Sequence, residues 1–456
     1  MGERVQSLLQ TLNSGSPDRI RRFFSEECDD SLRNLAPMDR HIGVFLSVYR
    51  DTGGVDFHGV RTYTPERKGE TVIVVKDRNY GSWRAVVLRF SGAPAFLVAG
   101  LNFNDARTPS DVREPPLSRD AAEHEIETLV NRLVEKRVLS GAVLVARGEK
   151  VLLTTAAGEA DKRFHVPNNV DTKFNLGSMN KMFTSTAIVR LVEQGKLSYE
   201  DPISKYIDES WLPGEVTSRI TVRHLLTHSS GLGSYFNAEY QKSSRELFRK
   251  LADYKPLIRS DRPAFTPGER FQYSNTGMFL LGVIIEKVTR SDYFDHIRTA
   301  IYEPAGMTNS DCYEMDYPVE NLAVGYSPDW KSPYGWQNNY YKHVIKGGPA
   351  GGGFSTVKDL HRFALALLAG KYVSQDSLKT MWTDHLGANY GFGFSVTEGP
   401  EGRVVGHSGG FSGINSQLDI YLDRGFIVAV MSNIDMGASP LARAIRKIVG
   451  RIQPKP

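Results

Sequence analysis

Cysteine is close to absent from this chain: Cys28 and Cys312 are the only two in 456 residues. They lie far apart and show no metal-ligand spacing, which excludes a disulfide framework and a zinc knuckle. Long apolar runs are missing too. The longest, "MFLLGVII" (278–285) and "FIVAVM" (426–431), fall short of the ~20 residues that a bilayer-spanning helix needs, so no membrane span is expected. The amino terminus, Met1-Gly2-Glu3-Arg4-Val5-Gln6, carries no apolar leader segment. Gly2 also lacks the Ser or Thr at position 6 that N-myristoylation uses. As it stands the chain reads as cytoplasmic, and as periplasmic or secreted if a leader has been removed. No excess of one charge is present either: 56 Lys and Arg face 52 Asp and Glu, a net +4. The basic residues are scattered, which leaves no footprint for nucleic acid. Internal repeats and low-complexity tracts are lacking.

What is present is an ordinary globular composition, 40% hydrophobic and 24% charged. A proline- and charge-rich stretch, "NDARTPSDVREPPLSRD" (104–120), divides the chain into a small domain (1–105), a linker (106–117) and a large domain (118–456). In the first, Ser16 to Glu27 reads as a helix, followed by strands at 55–63, 69–77, 83–90 and 95–103. One helix and a meander make a small α+β domain similar to the cone-shaped NTF2-like domains. It carries no catalytic constellation and suits packing or dimerisation, which makes it the candidate surface for a homo-oligomer. In the large domain, Ile126, Leu129, Val130, Leu133, Val134 and Val138 recur at helical spacing. A hairpin follows over 141–161, turning at Gly148-Glu149-Lys150. Strands return at 403–406, 416–422 and 425–431, before a final helix over about 440–452. Strands at both ends of a domain commonly join one sheet, with the middle inserted as a helical lobe.

Gly406-His407-Ser408-Gly409-Gly410 matches the G-x-S-x-G elbow of α/β-hydrolases, in which a strand precedes the serine and a helix follows it. Here the following stretch, "GFSGINSQLDIYLD", holds two glycines and then alternates like a strand. That fold also places its histidine after the serine, and no histidine follows Ser408. The elbow reading is excluded.

A better nucleophile is Ser178 in "FNLGSMNKMFTSTAIVRLVEQGKL" (174–197). Ser178 and Lys181 stand i, i+3 at the start of a helix and share a face. A serine hydroxyl needs a base, and a lysine serves if burial lowers its pKa from about 10.4. The Ser178 N–H at the helix start is available to an oxyanion. S-x-x-K recurs at Ser355–Lys358, where Ser355 reads as a helix cap. In "FTPGERFQYSNTGMFLLGVIIEKVTR" (265–290), Tyr273 falls on a loop before a helix; a phenol beside an ammonium would have a lowered pKa and could shuttle a proton. Y-x-N recurs at Tyr235-Phe236-Asn237. In His407-Ser408-Gly409-Gly410, the glycines allow close backbone approach and a free N–H.

S-x-x-K, Y-x-N and a His-led triplet ending in Gly, in that order, resemble the serine hydrolases of the class C β-lactamase and penicillin-binding-protein family. That family includes D-Ala-D-Ala carboxypeptidases, D-aminopeptidases and family VIII carboxylesterases. "RHLLTHSSGL" (223–232), "EPAGMTNS" (303–310) and "GPAGGGFSTVKDL" (348–360) extend the likeness over about 118–452. The resemblance implies an α+β fold, an antiparallel sheet with flanking helices and an all-helical lobe. Ser178 would be the acylated nucleophile, Lys181 its base partner, Tyr273 the proton shuttle and Asn275 the substrate-orienting amide. The N–H groups of Ser178 and Gly410 would form the oxyanion hole, and His407, Ser408 and Gly409 would border the substrate. His407 stands where β-lactamases carry Lys, which weakens recognition of a substrate carboxylate.

The pair His224 and His228, i and i+4, lacks the Glu of H-E-x-x-H and a third ligand, so it reads as structural. Tyr235 and the aromatic stretch "DWKSPYGWQNNYY" (329–341), with Trp336, are candidate substrate-binding residues. The expected activity is cofactor-independent and metal-free acyl transfer, on a small-molecule ester of short-chain or aryl type. The alternative substrate is a D-amino-acid amide or peptide, with slow β-lactam acylation beside it. A non-catalytic penicillin-binding-like scaffold is the third reading.

Overall fold

The computed structural model describes residues 2–61 and 70–453. Thr62 and Tyr63, which end the first predicted strand, and Gly69, which starts the second, lie outside the described residues. The chain divides into two units. One runs to Val138 and includes Pro328–Gln337 and the stretch from Arg451; the other comprises Leu139–Ser327 and Asn338–Gly450.

In the first unit, helices Gly2–Leu12, Pro17–Glu27, Asp30–Arg33 and Met38–Thr52 precede a four-stranded antiparallel meander. Its strands are Val55–Arg61, Glu70–Asp77, Trp83–Phe90 and Val98–Asp105, paired in sequential order. The predicted second helix starts where Ser16 accepts from the Arg19 N–H and Pro17 supplies the first turn. The other helices went unpredicted. Their apolar faces are narrow, Leu8 and Leu12 in one and Ile42 and Phe45 in another, and all four are buried. Burial against Phe23 and Phe24, at about 2–3 kcal/mol for each large apolar side chain, outweighs their weak local preference. Ile73, Val75, Val86 and Leu88 turn into this core, while Val72, Val74, Trp83 and Ala85 form a cluster of their own. Helix Arg119–Glu135, capped by Ser118, also belongs to this unit.

The second unit is built on a six-stranded antiparallel sheet. In order, its strands are Ser395–Gly399, Gly402–Phe411, Ile414–Tyr421, Phe426–Ser432, Gly141–Arg147 and Lys150–Ala157. The chain's last strand, Phe426–Ser432, thus pairs with the unit's first, Gly141–Arg147, as the return of strands suggested. Gly141–Arg147 is buried along nearly its whole length, which suits its unbroken apolar sequence. Strand Gly402–Phe411 runs five residues beyond its predicted end at Gly406, so "GHSGG" lies within a strand. Between the two groups of strands lies the helical lobe. Its main helices are Asn180–Glu193 and Asn275–Thr289, and their central residues are buried on every side. This is the sheet-plus-helical-lobe arrangement that the family resemblance implied.

The second S-x-x-K copy has a structural role different from the expected one. Thr356, not Ser355, caps helix Val357–Leu368 by accepting from the Asp359 N–H at 3.1 Å. Ser355 sits in a two-residue strand and exchanges a 2.8 Å hydrogen bond with Ser310. Lys358 pairs with Asp171 instead of a serine. Among the described residues no helix is long and apolar enough to cross a membrane. Nor do any three His, Cys, Asp or Glu side chains among them group to hold a metal ion.

Candidate active site

The nucleophile candidate sits where a helix is forced against a strand. Gly177 has φ +51°, and a Cβ there would lie 2.9 Å from the Gly410 nitrogen and 3.0 Å from Gly409 Cα. Glycine is required on both counts. Gly409 is under the same pressure, since a Cβ would reach 1.9 Å from the Leu176 carbonyl oxygen. That carbonyl accepts from Ser416 Oγ at 2.7 Å, and the Gly177 N–H donates to Asn175 Oδ1 at 2.8 Å. The short turn Gly177–Met179 is therefore stitched to the sheet edge, with Ser178 and Gly410 lining one cavity.

Lys181, in the first turn of helix Asn180–Glu193, is 0% exposed. Its Nζ lies 3.0 Å from Ser178 Oγ, 3.0 Å from Asn275 Oδ1 and in contact with the Ala350 carbonyl. Burial lowers its pKa well below the ordinary 10.5. A neutral amine has two hydrogens and one lone pair. Asn275 Oδ1 and the Ala350 carbonyl can only accept, so they take the hydrogens, and the lone pair is left for the Ser178 hydroxyl. Asn275 is oriented for this by donating from Nδ2 to Ser234 Oγ at 3.2 Å.

Tyr273 precedes helix Asn275–Thr289, whose cap is Ser274. Its ring lies 4.8 Å from Lys181 Nζ, and its hydroxyl is close enough to the Ser178 side chain to be influenced by it. The side chain is 39% exposed, at the cavity mouth. Burial around the hydroxyl raises its pKa to about 12, and the nearby Ser178 side chain offsets this only in part. This corrects the expectation of a lowered phenol pKa. With its pKa raised to about 12 by burial, the resting phenol keeps its proton.

His407 does not face the cavity. It is 5% exposed, and its Nδ1 lies 2.5 Å from the Ser408 carbonyl oxygen. Its Nε2 is 3.0 Å from the Tyr390 hydroxyl, which is 3.2 Å from His228 Nε2. His228 Nδ1 in turn accepts from the Ser274 N–H at 3.1 Å. The proton order along this buried chain is dictated at both ends. His228 carries its hydrogen on Nε2 and gives it to Tyr390, Tyr390 gives its own to His407 Nε2, and His407 Nδ1–H donates to Ser408. Burial, with Lys181 nearby, lowers the His407 pKa to about 3, so the ring is neutral. His228 adopts φ +55° and lies 4.3 Å, ring centroid to centroid, from Tyr273. It stands beyond helix Val222–Leu226, so the two histidines do not share one helix. His224 instead accepts from the Thr221 N–H within a capping box.

The cavity, of about 280 Å³, is walled by Tyr235, Phe236, Tyr240, Val344 and Phe411 above the Ser178–Asn275 floor. Phe236 and Phe411 stack at 5.7 Å. None of the described residues lining it is Asp, Glu, Lys or Arg. His343 is among them, its pKa lowered by burial to about 4. The structure thus gathers Ser178, Lys181, Tyr273, Asn275, Gly410 and Tyr235. Ser408 is exposed in its strand. Ser408, Gly409 and His407 are not among the lining residues, and neither is Trp336, which falls in the first unit. Tyr390, Tyr240, Phe411 and the Ala350 carbonyl were not singled out from sequence. "YGFGF" (390–394) held the one visible signal, an aromatic among glycines.

Comparison with known proteins gives the family. A family model described as Beta-lactamase matches residues 126–450. Penicillin-binding protein 4* of Bacillus subtilis (strain 168) is 33% identical over 325 residues, covering 68% of this chain and 71% of that protein. A penicillin-binding protein structure from Bacillus halodurans superposes with a TM-score of 0.65 at 29% identity, over 71% of this chain and 98% of that one. A D-stereospecific amidohydrolase from Streptomyces sp. gives 0.58 at 25% identity, over 72% and 97%.

Proposed function

Since this chain belongs to the β-lactamase family of penicillin-binding-protein-like serine hydrolases, we propose that it is a carboxylesterase acting on short-chain or aryl esters through an acyl-enzyme. The observation that carries the reading is the aromatic cavity over Ser178, without a fixed charge on any described lining residue. A substrate carboxylate meets no cation there, because His407 is neutral and turned away. An α-ammonium meets no carboxylate. A neutral apolar acyl group meets the rings of Phe236 and Phe411.

The chemistry follows from the resting protonation states. Ser178 Oγ attacks the ester carbon as its proton passes to the Lys181 lone pair. The carbonyl oxygen becomes an oxyanion, received by the N–H groups of Ser178 and Gly410. Collapse breaks the bond to the leaving oxygen, which takes the Tyr273 proton; Lys181 returns its own to the phenolate. Water then attacks the acyl carbon, giving a proton to Lys181 through Tyr273, and Ser178 leaves with that proton as the acid is released.

A second reading, hydrolysis of D-amino-acid amides, is favoured by the likeness to the Streptomyces amidohydrolase. Fluorophosphonate labelling located by mass spectrometry tests both, beside aryl-ester, D-Ala-anilide and chromogenic cephalosporin assays. The expected result is a label on Ser178 and fastest turnover of the aryl ester. Anilide turnover above ester turnover moves the assignment to the amidase. A label on Ser408, or full activity of Ser178→Ala, overturns both, and a label without turnover of any substrate favours a scaffold.

A further inference from the structure

The peptide between Gly409 and Gly410 is held from behind. Asn415, 5% exposed, pairs with Gly410 across the neighbouring strand Ile414–Tyr421, and its Nδ2 donates to the Gly409 carbonyl at 3.1 Å. This peptide is trans; Ala93–Pro94 holds the cis bond among the described residues. In a trans peptide the C=O and N–H point in opposite directions. A carbonyl held by Asn415 therefore turns the Gly410 N–H the other way. On that side lies the nucleophile's turn, since a Cβ on Gly177 would come within 2.9 Å of the Gly410 nitrogen.

Asn415 has no freedom to let go. Its Oδ1 accepts from the Ala438 and Ser439 N–H groups at 2.8 and 2.7 Å, and Nδ2 also donates to Ser439 Oγ at 3.0 Å. Flipping the amide would set hydrogens against hydrogens at one end and oxygen against carbonyl oxygen at the other. These N–H groups belong to the start of helix Ser439–Gly450. That helix is fixed on the sheet by Arg446, whose Nε donates at 2.6 Å to Oδ2 of the fully buried Asp419. Asp419 lies on the same strand as Asn415.

We propose that Asn415 is a positioning residue for the acyl transfer: it aims the Gly410 amide into the cleft, with a helix amino terminus as its anchor. This rests on the reading that the Gly410 N–H receives the substrate's developing oxyanion. Such a donor acts through where it points, and loss of one costs about 10²–10³ in kcat. A misdirected one costs part of that.

Asn415→Asp separates aim from architecture. It keeps acceptor oxygens for Ala438 and Ser439 and sets an oxygen against the Gly409 carbonyl. For p-nitrophenyl acetate we expect kcat to fall about 10- to 100-fold, with KM within about twofold and a lowered Tm. Affinity for phenylboronic acid, which adds to Ser178 as a tetrahedral anion, should fall in parallel. Unchanged kcat and boronate affinity would overturn the inference while leaving the esterase reading intact. Activity surviving in Ser178→Ala sinks that reading instead. Should the Asp variant fail to fold, the wild-type boronate adduct decides: an adduct oxygen within hydrogen-bond distance of the Gly410 nitrogen, with the Asn415–Gly409 bond kept, supports the role. An oxygen turned away from Gly410 refutes it.

Discussion

Lys181 Nζ stands 3.0 Å from Ser178 Oγ while its side chain is wholly removed from solvent. A base at that position works only if it can be neutral. Lys181→Arg, which keeps length and donors but holds its proton at all working pH values, should lose at least about 10³-fold in kcat/KM, as should Ser178→Ala. Both are read with an aryl ester, and fluorophosphonate labelling of the Arg variant should slow in parallel.

The pH profile follows from the same amine. Its pKa is depressed, so the protonated, inactive form disappears as pH rises through that lowered value. kcat/KM should climb with pH along one acidic limb and then level. No falling limb is expected before the region of Tyr273, near 12. His407, already neutral above about 3, contributes no limb. His407→Asn should therefore leave the profile's shape in place, and a displaced limb in that variant would contradict the assignment.

Stability should also fall on the acid side. His407 and His343 have folded values of about 3 and about 4, against an ordinary 6.5, and His228 is lowered well below 6.5 too. Between those values the unfolded chain binds more protons than the folded one. The histidines' share of stability is then complete above pH 6.5 and declines as the pH falls toward 3. Urea unfolding at pH 7 and pH 4.5 should show the loss, and His343→Gln should reduce it.

Tyr390 joins two buried imidazoles, at 3.0 and 3.2 Å. Tyr390→Phe leaves one ring nitrogen without a donor and one N–H without an acceptor. A loss of about 1–3 kcal/mol is expected, measurable as a lowered Tm. Ser408→Ala, at an exposed residue outside the cavity lining, should stay within about twofold in both activity and stability.

Phe411→Ala removes one wall of the aromatic stack with Phe236. An apolar contact of that kind discriminates by about 10- to 100-fold. The preference for p-nitrophenyl phenylacetate over p-nitrophenyl acetate should shrink accordingly in kcat/KM, and an unchanged ratio would place the acyl group elsewhere.

How much of this was legible depended on whether side chains or backbone do the work. Ser178 and Lys181 meet through a spacing of three at a helix start, a relationship that any reader of the chain can see. The sheet was legible from alternation and from strands recurring at both ends. Tyr390 reaches His228 across 162 residues, and no local pattern records such a contact. The Ala350 carbonyl carries no side-chain signature at all. Asn415 was invisible for a related reason, because its partners are backbone groups of Gly409, Ala438 and Ser439. The pKa of Tyr273 was misjudged because burial of its own hydroxyl sets the sign, and burial is not written in the local sequence.

The pairing of Gly141–Arg147 with Phe426–Ser432 also governs how the protein is made. The first of these strands leaves the ribosome about 280 residues before the second. At about 5–20 residues per second that is a wait of roughly 15–60 s. Throughout it, the hairpin 141–157 has one partner where the finished sheet supplies two, and the unpaired edge is an apolar strand meant for burial. A strand meant for burial left open for that interval is the cost of placing the earliest strand beside the latest.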